Sequence, residues 1–199
     1  NHGLIQLRDR PQWRTVRGGS KQYVQKMLAS IADARLATPV RSVRRLPPGS
    51  GGAGVIVATD AGSERFDELV LACHSDQALR LLLDADRNER DILGAIPYQA
   101  NDVVLHTDAS LLPGNRKAWA AWNYVRAENH QQESSRVCLH YLLNKLQPLP
   151  YAQAVVVSLN PTQAIDPKKI IQTIDYAHPV FDLPAIDAQQ HLHQIQGQQ

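Results

Sequence analysis

Short segments that alternate apolar and polar residues most restrict the fold of this chain. Thr38–Leu46 follows this pattern, and the apolar Val55–Thr59 is predicted to be a second strand after a turn-forming segment. Successive side chains of a strand point to opposite faces, so a period of two predicts half-buried β-strands. Four further strands are predicted in the second half of the chain, at 100–106, 118–124, 137–143 and 154–159. Because polar or proline- and glycine-containing loops separate them, we expect a mostly antiparallel sheet.

Helices and one buried strand complete the prediction. An apolar face at i, i+3, i+4 and i+7 predicts a helix through residues 24–31, with Ser20 as its N-cap. Phe66–Cys73 is almost continuously apolar and is predicted to be a strand buried on both faces. Further helices are predicted at Gln77–Leu83, Pro167–Ile174 and Ala185–Gln196. The fold class is therefore α+β or mixed α/β, with a helix and β-meander over residues 1–90 and a sheet with helices over residues 91–199.

The composition excludes several classes of function. The 199 residues carry a formal net charge of +2, which gives no electrostatic reason to bind nucleic acid or an anionic membrane. No apolar run approaches the roughly 18 residues of a membrane span. Neither end has the features of a natural terminus or a signal peptide, so we expect an interior fragment of a longer cytoplasmic protein. Cys73 and Cys138 lie in apolar runs and are expected to be reduced, buried thiols.

No catalytic or metal-binding motif with diagnostic spacing is present in the sequence. The glycine-rich Gly49–Gly54 segment lies between two predicted strands, so it is interpreted as a hairpin loop and not as a phosphate-binding turn. His191 and His193 are two residues apart on a predicted helix and therefore make poor co-ligands, so no metal site is expected.

Polar and aromatic side chains at strand ends are the remaining candidates for a site. His74 follows the apolar Phe66–Cys73 segment, and His106 and Asp108 end another predicted strand. A histidine titrates near neutral pH, so His106 could act as a base, although each of these residues could also be structural. Trp122 and Tyr124 share one face of a predicted strand, either as sheet core or as the wall of an apolar substrate pocket.

Several strings together resemble the flavin amine-oxidase superfamily, which includes monoamine oxidases and carotenoid desaturases. They are the Gly18-Gly19 pair before a helix, Thr38-Pro-Val40, and Phe66-Asp-Glu-Leu-Val-Leu-Ala-Cys73. Further strings are similar to a bacterial subgroup of predicted NAD/FAD-binding, amine-oxidase-like proteins. These strings are Ala72-Cys-His-Ser-Asp-Gln-Ala78, His106-Thr-Asp108, Trp119-Ala-Ala-Trp-Asn-Tyr124 and His178-Pro-Val-Phe181.

The resemblance implies an FAD cofactor and indicates which residues contact it. It implies that the backbone of Val40 binds the adenine, and that Ala72, Cys73 and His74 lie close to the cofactor. The family's N-terminal dinucleotide motif and C-terminal flavin segment are missing, so the chain is not expected to retain FAD or activity in isolation. Monoamine oxidases carry a lysine that contacts the flavin N5 through water, whereas the matching segment here contains no lysine.

The leading hypothesis is an FAD-dependent oxidoreductase that moves a hydride from an apolar or amine-like substrate to the flavin. Its predicted lobes are a partial FAD-binding lobe at residues 1–90 and a substrate-binding lobe at residues 91–199. The predicted catalytic residues are His106 and Asp108, and Trp122 and Tyr124 are predicted to line the substrate pocket. The alternative is a non-catalytic module that binds a lipid or isoprenoid. We also expect the isolated chain to self-associate as a homodimer through exposed strand edges.

Overall fold

A computed structural model describes the chain at residue 12 and at residues 14–47, 53–125 and 138–197. The fold contains helices and two sheets, which confirms the α+β class. It divides into two compact units: unit 1 comprises Asn1–Ala34 and Asn101–Tyr176, and unit 2 comprises Arg35–Ala100 and Ala177–Gln199. Each unit is built from two separate segments, whereas the predicted lobes divide the chain at one point. Most of the Gly49–Gly54 loop lies outside the described residues.

Unit 2 is built on a three-stranded antiparallel meander. Strands β1 (Val40–Arg45), β2 (Val55–Thr59) and β3 (Gly62–Phe66) lie in the order β1-β2-β3. The strands predicted at Thr38–Leu46 and Val55–Thr59 are thus confirmed as β1 and β2, whereas the strand at Gly62–Phe66 was not predicted. Val43 on β1 lies opposite Val57 on β2, and both side chains are buried.

Three helices accompany this meander in unit 2. They are α2 (Ser75–Leu81), α3 (Arg87–Gly94) and α5 (Leu183–His191), the last continued by a 3₁₀ turn at Leu192–Ile195. The α3 helix begins with a reciprocal cap, because the Glu89 N–H donates to the Asp86 carboxylate and the Asp86 N–H donates to that of Glu89. The buried Glu89 also accepts a hydrogen bond from Arg45 and so ties α3 to β1.

The prediction that Phe66–Cys73 is a buried strand is wrong. The β3 strand ends at Phe66, which lies opposite Val55, the first residue of β2. Residues beyond Phe66 therefore run past the end of β2 and have no ladder partner there. The segment is irregular, Val70 is exposed, and Cys73 is an exposed free thiol, not a buried one. Cys138 is free and buried, as predicted.

The second sheet has five strands in the order β5-β6-β7-β4-β8. The strands are β4 (Tyr98–His106), β5 (Trp122–Val125), β6 (Cys138–Leu142), β7 (Val156–Leu159) and β8 (Ile170–Pro179). The β5–β6, β6–β7 and β4–β7 pairs are antiparallel, as expected. The prediction for β5 was too long at its start, because Arg116–Ala118 forms a 3₁₀ turn.

The helix predicted at Pro167–Ile174 is also wrong. Pro167–Lys169 forms a single 3₁₀ turn, and the long strand β8 begins at Ile170. The sequence from Ile170 to Ile174 is rich in β-branched residues, whose restricted χ1 angles favour strands over helices. The proline, which is tolerated at the start of a helix, occupies the short turn instead.

Two short helices complete the described structure. The α1 helix (Lys21–Leu28) confirms the predicted helix, but it buries none of its residues, and the side chain of Ser20 makes no capping hydrogen bond. The α4 helix (Leu143–Leu146) follows β6 directly. Within the described ranges, no helix is long and apolar enough to cross a bilayer.

Candidate functional site

Two histidines and a serine meet on the inner face of the five-stranded sheet. His140 on β6 lies opposite Ser158 on β7, and Ser158 lies opposite Val104 on β4. Residues two apart on a strand share a face, so His106 also points to this side. All three polar side chains are buried, with His106 and Ser158 each 0% exposed. They lie on the same face as Leu142 and Val156, two members of the core cluster.

A hydrogen-bonded chain links the three side chains and fixes the direction of each bond. The Asp108 N–H donates to His106 Nδ1 over 3.0 Å, so Nδ1 of a neutral His106 is the acceptor and Nε2 carries the proton. His106 Nε2 lies 2.7 Å from Ser158 Oγ and donates to it. The Ser158 hydroxyl then donates to His140 Nδ1 over 2.6 Å. We call this the His–Ser–His chain.

The His–Ser–His chain extends to Cys138 through a weak hydrogen bond, and burial keeps its two imidazole rings neutral. His140 Nε2 lies 3.7 Å from Cys138 Sγ, a distance at which sulfur makes a weak hydrogen bond. Burial lowers the pKa of His140 below its ordinary value, because the imidazolium loses its hydration. Burial also lowers the pKa of His106, the nearby Asp108 charge opposes this shift, and His140 adds to it. Both rings are therefore neutral near pH 7.

Asp108 lies just beyond β4 and anchors a turn. One carboxylate oxygen accepts from the Asp166 N–H over 3.1 Å. The other accepts from Lys169 Nζ over 3.0 Å, and from the Ser110 N–H and hydroxyl over 3.2 and 2.8 Å. These bonds, led by that from the Asp166 N–H, hold the pKa of the buried carboxyl well below its usual range despite its desolvation. The geometry favours a structural role for this carboxylate.

The opposite face of the sheet is apolar, although much of it is accessible. Val103 on β4 is buried, but Trp122 and Tyr124 on the edge strand β5 are 53% and 65% exposed. The paired registers of β5, β6, β7 and β4 place eight side chains here in two rows of four. We call them the outer apolar face: Trp122, Tyr141, Val157 and Leu105 in one row, and Tyr124, Leu139, Leu159 and Val103 in the other.

The accessible side of this sheet differs from that of an ordinary surface sheet. A half-exposed antiparallel sheet usually carries polar residues on its accessible side. Here the buried side carries both histidines, and the accessible side carries no charged residue among the eight. An accessible apolar patch with aromatic side chains is typical of a surface that binds a ligand or another protein segment.

The predicted pocket residues Trp122 and Tyr124 thus lie together on the outer apolar face. Trp122 makes an edge-to-face contact with Tyr141 at 6.4 Å between ring centroids. Asn123 lies between the two aromatic residues of β5 and points to the inner face. Its amide donates to the carbonyls of Ala120 and His140 and so fixes the start of the strand.

Trp119 differs from its two aromatic neighbours in both place and partners. It precedes β5, packs against the core cluster and donates through Nε1 to the Pro113 carbonyl. Its contribution is therefore to the core.

The predicted cofactor residues lie in unit 2. Val40 begins β1, the edge strand of the meander. Ala72 and Cys73 lie in the irregular segment, and Cys73 lines an open cavity of about 620 Å³ in this unit. His74 precedes α2, and its ring stacks on Tyr98 at 4.4 Å between centroids. The Tyr98 hydroxyl accepts a hydrogen bond from the Ser75 N–H. It thus satisfies one of the backbone N–H groups at the start of α2 that have no acceptor within the helix.

The predicted contact of Val40 with an adenine involves the outer edge of β1. The outer edge of β1 presents backbone groups to its surroundings, as backbone recognition of an adenine by Val40 requires. That edge is partly occupied, because the Leu83 N–H donates to the Val43 carbonyl over 2.9 Å. Among the described residues, no glycine-rich turn leads from a strand into a helix that could hold a pyrophosphate. The described residues therefore offer an edge strand at Val40 and no turn of this pyrophosphate-binding type.

Sequence reasoning missed His140, Ser158 and Lys169 as members of the polar groups described above. His140 and Ser158 each lie between apolar neighbours in a strand. A polar residue at a position that faces the core needs a hydrogen-bond partner, and this is the sequence feature that could have identified them. Their proximity depends on the β6–β7 register, which a single sequence does not provide. Lys169 reaches Asp108 only because the predicted helix at this place is a turn.

The chain matches no known protein-family model and no curated protein. Among solved structures, its fold is similar to that of the CLA-producing fatty acid isomerase from P. acnes, with a TM-score of 0.58 and 17% identity. It is also similar to a proposed protoporphyrinogen oxidase from Exiguobacterium sp. 255-15, with a TM-score of 0.52 and 15% identity. Each comparison covers 90% of this chain and 45% of the other protein. The chain thus shares its fold with somewhat less than half of each of these two proteins.

Proposed function

We propose that the chain is part of an FAD-dependent oxidoreductase of the flavin amine-oxidase type, which transfers a hydride from an apolar substrate to the flavin. The outer apolar face is the observation that carries this proposal. It offers two rows of apolar side chains, ending in the exposed Trp122 and Tyr124, and it is suited to be the wall of a substrate site.

The similar folds support an apolar substrate. The two structurally similar proteins are named for a fatty acid and for protoporphyrinogen, which both have large apolar carbon skeletons. The sequence resemblance adds the flavin, which accepts the hydride when it is bound. The chain's own contribution is to bind and orient the substrate through aromatic contacts and to exclude water from it.

On the cofactor side, the proposal assigns the adenine to the backbone of Val40 and assigns Ala72, Cys73 and His74 to the surroundings of the cofactor. A role of His106 and Asp108 in catalysis stays a prediction. His106 is on the inner face, opposite to the proposed wall, and the Asp108 carboxylate is saturated with hydrogen bonds. The geometry favours structural roles for both. Self-association of the isolated chain also stays a prediction, which light scattering can test.

The first experiment tests cofactor binding. The full-length protein and this chain alone are each mixed with FAD, desalted and examined by absorption spectroscopy. We expect the full-length protein to retain flavin and the isolated chain to lose it. Loss of flavin by both would contradict the proposal and would favour the alternative of a lipid- or isoprenoid-binding module, for which the outer apolar face is equally suitable.

The second experiment tests whether the outer apolar face forms a wall of the substrate site. Anaerobic flavin reduction is followed in the full-length protein with a long-chain fatty acid, a porphyrinogen and a primary amine as candidate donors. With an active donor, Trp122→Ala and Tyr124→Ala should each weaken substrate binding about tenfold or more, because each removes a large aromatic contact. Tyr151→Ala is the control, since Tyr151 is 53% exposed but lies in the loop between α4 and β7. Equal effects of all three substitutions would argue against the wall.

A further inference from the structure

An additional proton disturbs the hydrogen bonds of the His–Ser–His chain, but it does so differently at the two histidines. His106 Nδ1 already accepts from the Asp108 backbone N–H, so a proton added there would meet another donor at 3.0 Å. His140 Nδ1 instead faces the Ser158 hydroxyl, which can rotate from donor to acceptor. The two histidines therefore differ. A proton on His106 must displace the backbone, whereas a proton on His140 needs only the reversal of one hydroxyl.

We propose that the His–Ser–His chain is an acid-sensitive latch that fixes the pairing of β4, β7 and β6, and that His140 is the position at which a proton first opens it. Protonation makes Ser158 an acceptor from both rings and leaves its own hydroxyl hydrogen without the acceptor that it now has. It also places a charge where the imidazole is buried. Both consequences favour separation of the strands.

Among the described residues, the charged and titratable groups near the latch provide no partner for a proton on His140. At the His106 end, the β4 side supplies Asp108, whose carboxylate is already paired with Lys169 from the turn before β8. At the His140 end, the neighbour on β6 is the Cys138 thiol. Within the described part of the chain, no carboxylate has a hydrogen bond or ion pair with His140. A new charge on His140 thus has no counter-ion among the residues that the structure describes.

The direction of the pH dependence follows from the two histidines. Burial lowers the pKa of both rings in the folded state, so the unfolded chain binds protons first as the pH falls. The stabilisation is complete above the ordinary histidine value of 6.5 and is lost progressively below it, until the folded rings also titrate. Within that window, the folding equilibrium constant falls up to about tenfold per pH unit for each histidine.

The latch lies directly behind the outer apolar face. His140 is between Leu139 and Tyr141 on β6, and Ser158 is between Val157 and Leu159 on β7, so both inner residues alternate with outer ones. Opening of the latch would disturb the rows of the outer face.

Nuclear magnetic resonance of the full-length protein with ¹⁵N-labelled histidine tests the proton positions directly. Near pH 7.5, His106 and His140 should both carry the proton on Nε2, and both should titrate below 6.5, with His140 first. A proton on Nδ1 of either ring near pH 7.5, a midpoint at or above 6.5, or titration of His106 before His140 would overturn the proposal. This measurement needs no variant and therefore does not depend on whether a variant folds.

Urea unfolding between about pH 7.5 and about pH 5 tests the linkage. His140→Asn keeps an acceptor towards Ser158 but cannot titrate, so the pH dependence of its folding equilibrium constant should decrease by up to about tenfold per pH unit. The control is His193→Asn, because His193 is exposed and lies in unit 2. An equal loss of pH dependence in this control would mean that the effect is not specific to the latch. An unchanged pH dependence in His140→Asn would contradict the latch.

Discussion

Replacing Asp108 with alanine is expected to destabilise the protein by about 3 kcal/mol. The substitution leaves the Asp166 and Ser110 N–H groups without their acceptor in a partly buried turn, at about 1 kcal/mol each. It also removes the ion pair with Lys169, which contributes about 1 kcal/mol because the Lys169 side chain is 45% exposed. Urea unfolding near pH 7 measures the total. A loss below about 1 kcal/mol would refute the view that this carboxylate anchors the turn.

The pH dependence of this effect separates it from that of the buried histidines. The folded state holds the pKa of Asp108 below its usual value of 3.8, so its contribution is fully present above that value and is lost as the pH falls further. The difference between Asp108→Ala and the unmodified protein should stay constant from about pH 7 to about pH 5 and shrink below about pH 4. Asp60→Asn, at an exposed ion pair with Arg41, is the control and should show no measurable destabilisation.

Two further substitutions test unit 2. Gly54 has a φ of +147°, and a Cβ atom there would lie 2.6 Å from a carbonyl oxygen of β3, so Gly54→Ala should cost about 2 kcal/mol or more in urea unfolding. Gly94→Ala is its control, since its nearest contact would be 3.8 Å and an alanine at that helical position should be neutral or stabilising. Glu89→Ala should cost about 2 kcal/mol, because it leaves the buried cap of α3 and Arg45 without this carboxylate. A calorimetric melting temperature that is unchanged in Gly54→Ala or in Glu89→Ala would contradict the corresponding argument.

Local sequence patterns were sufficient for most strands, because alternation is a property of neighbouring residues. Val55–Thr59 is predicted and observed at the same bounds, and β6 differs from its prediction by one residue at each end. The failures concern segments whose state depends on distant partners. Phe66–Cys73 is apolar enough for a buried strand, but no described strand continues beside it after Val55. In place of the helix predicted at Pro167–Ile174, a short turn and a strand form, because the β-branched residues from Ile170 to Ile174 favour a strand.

The candidate site shows the same limit. The position of His106 at a strand end was evident from the sequence, and so was the common face of Trp122 and Tyr124. The partners of His106 were not, because Ser158 lies 52 residues further along the chain and is brought near by sheet register alone. Likewise, whether the aromatic face lies inside or outside depends on what packs against the sheet, which alternation does not reveal.

The orientation of the His–Ser–His chain has a consequence for its evolution. The Asp108 backbone N–H determines which nitrogen of His106 carries a proton. Because His106 then donates to the Ser158 hydroxyl, Ser158 donates to His140 and so determines its protonated nitrogen as well. A substitution that reverses donor and acceptor at one of these positions leaves a mismatch at the next. The three residues are therefore expected to be inherited as a set, and relatives of this protein should either retain all of them or replace them together.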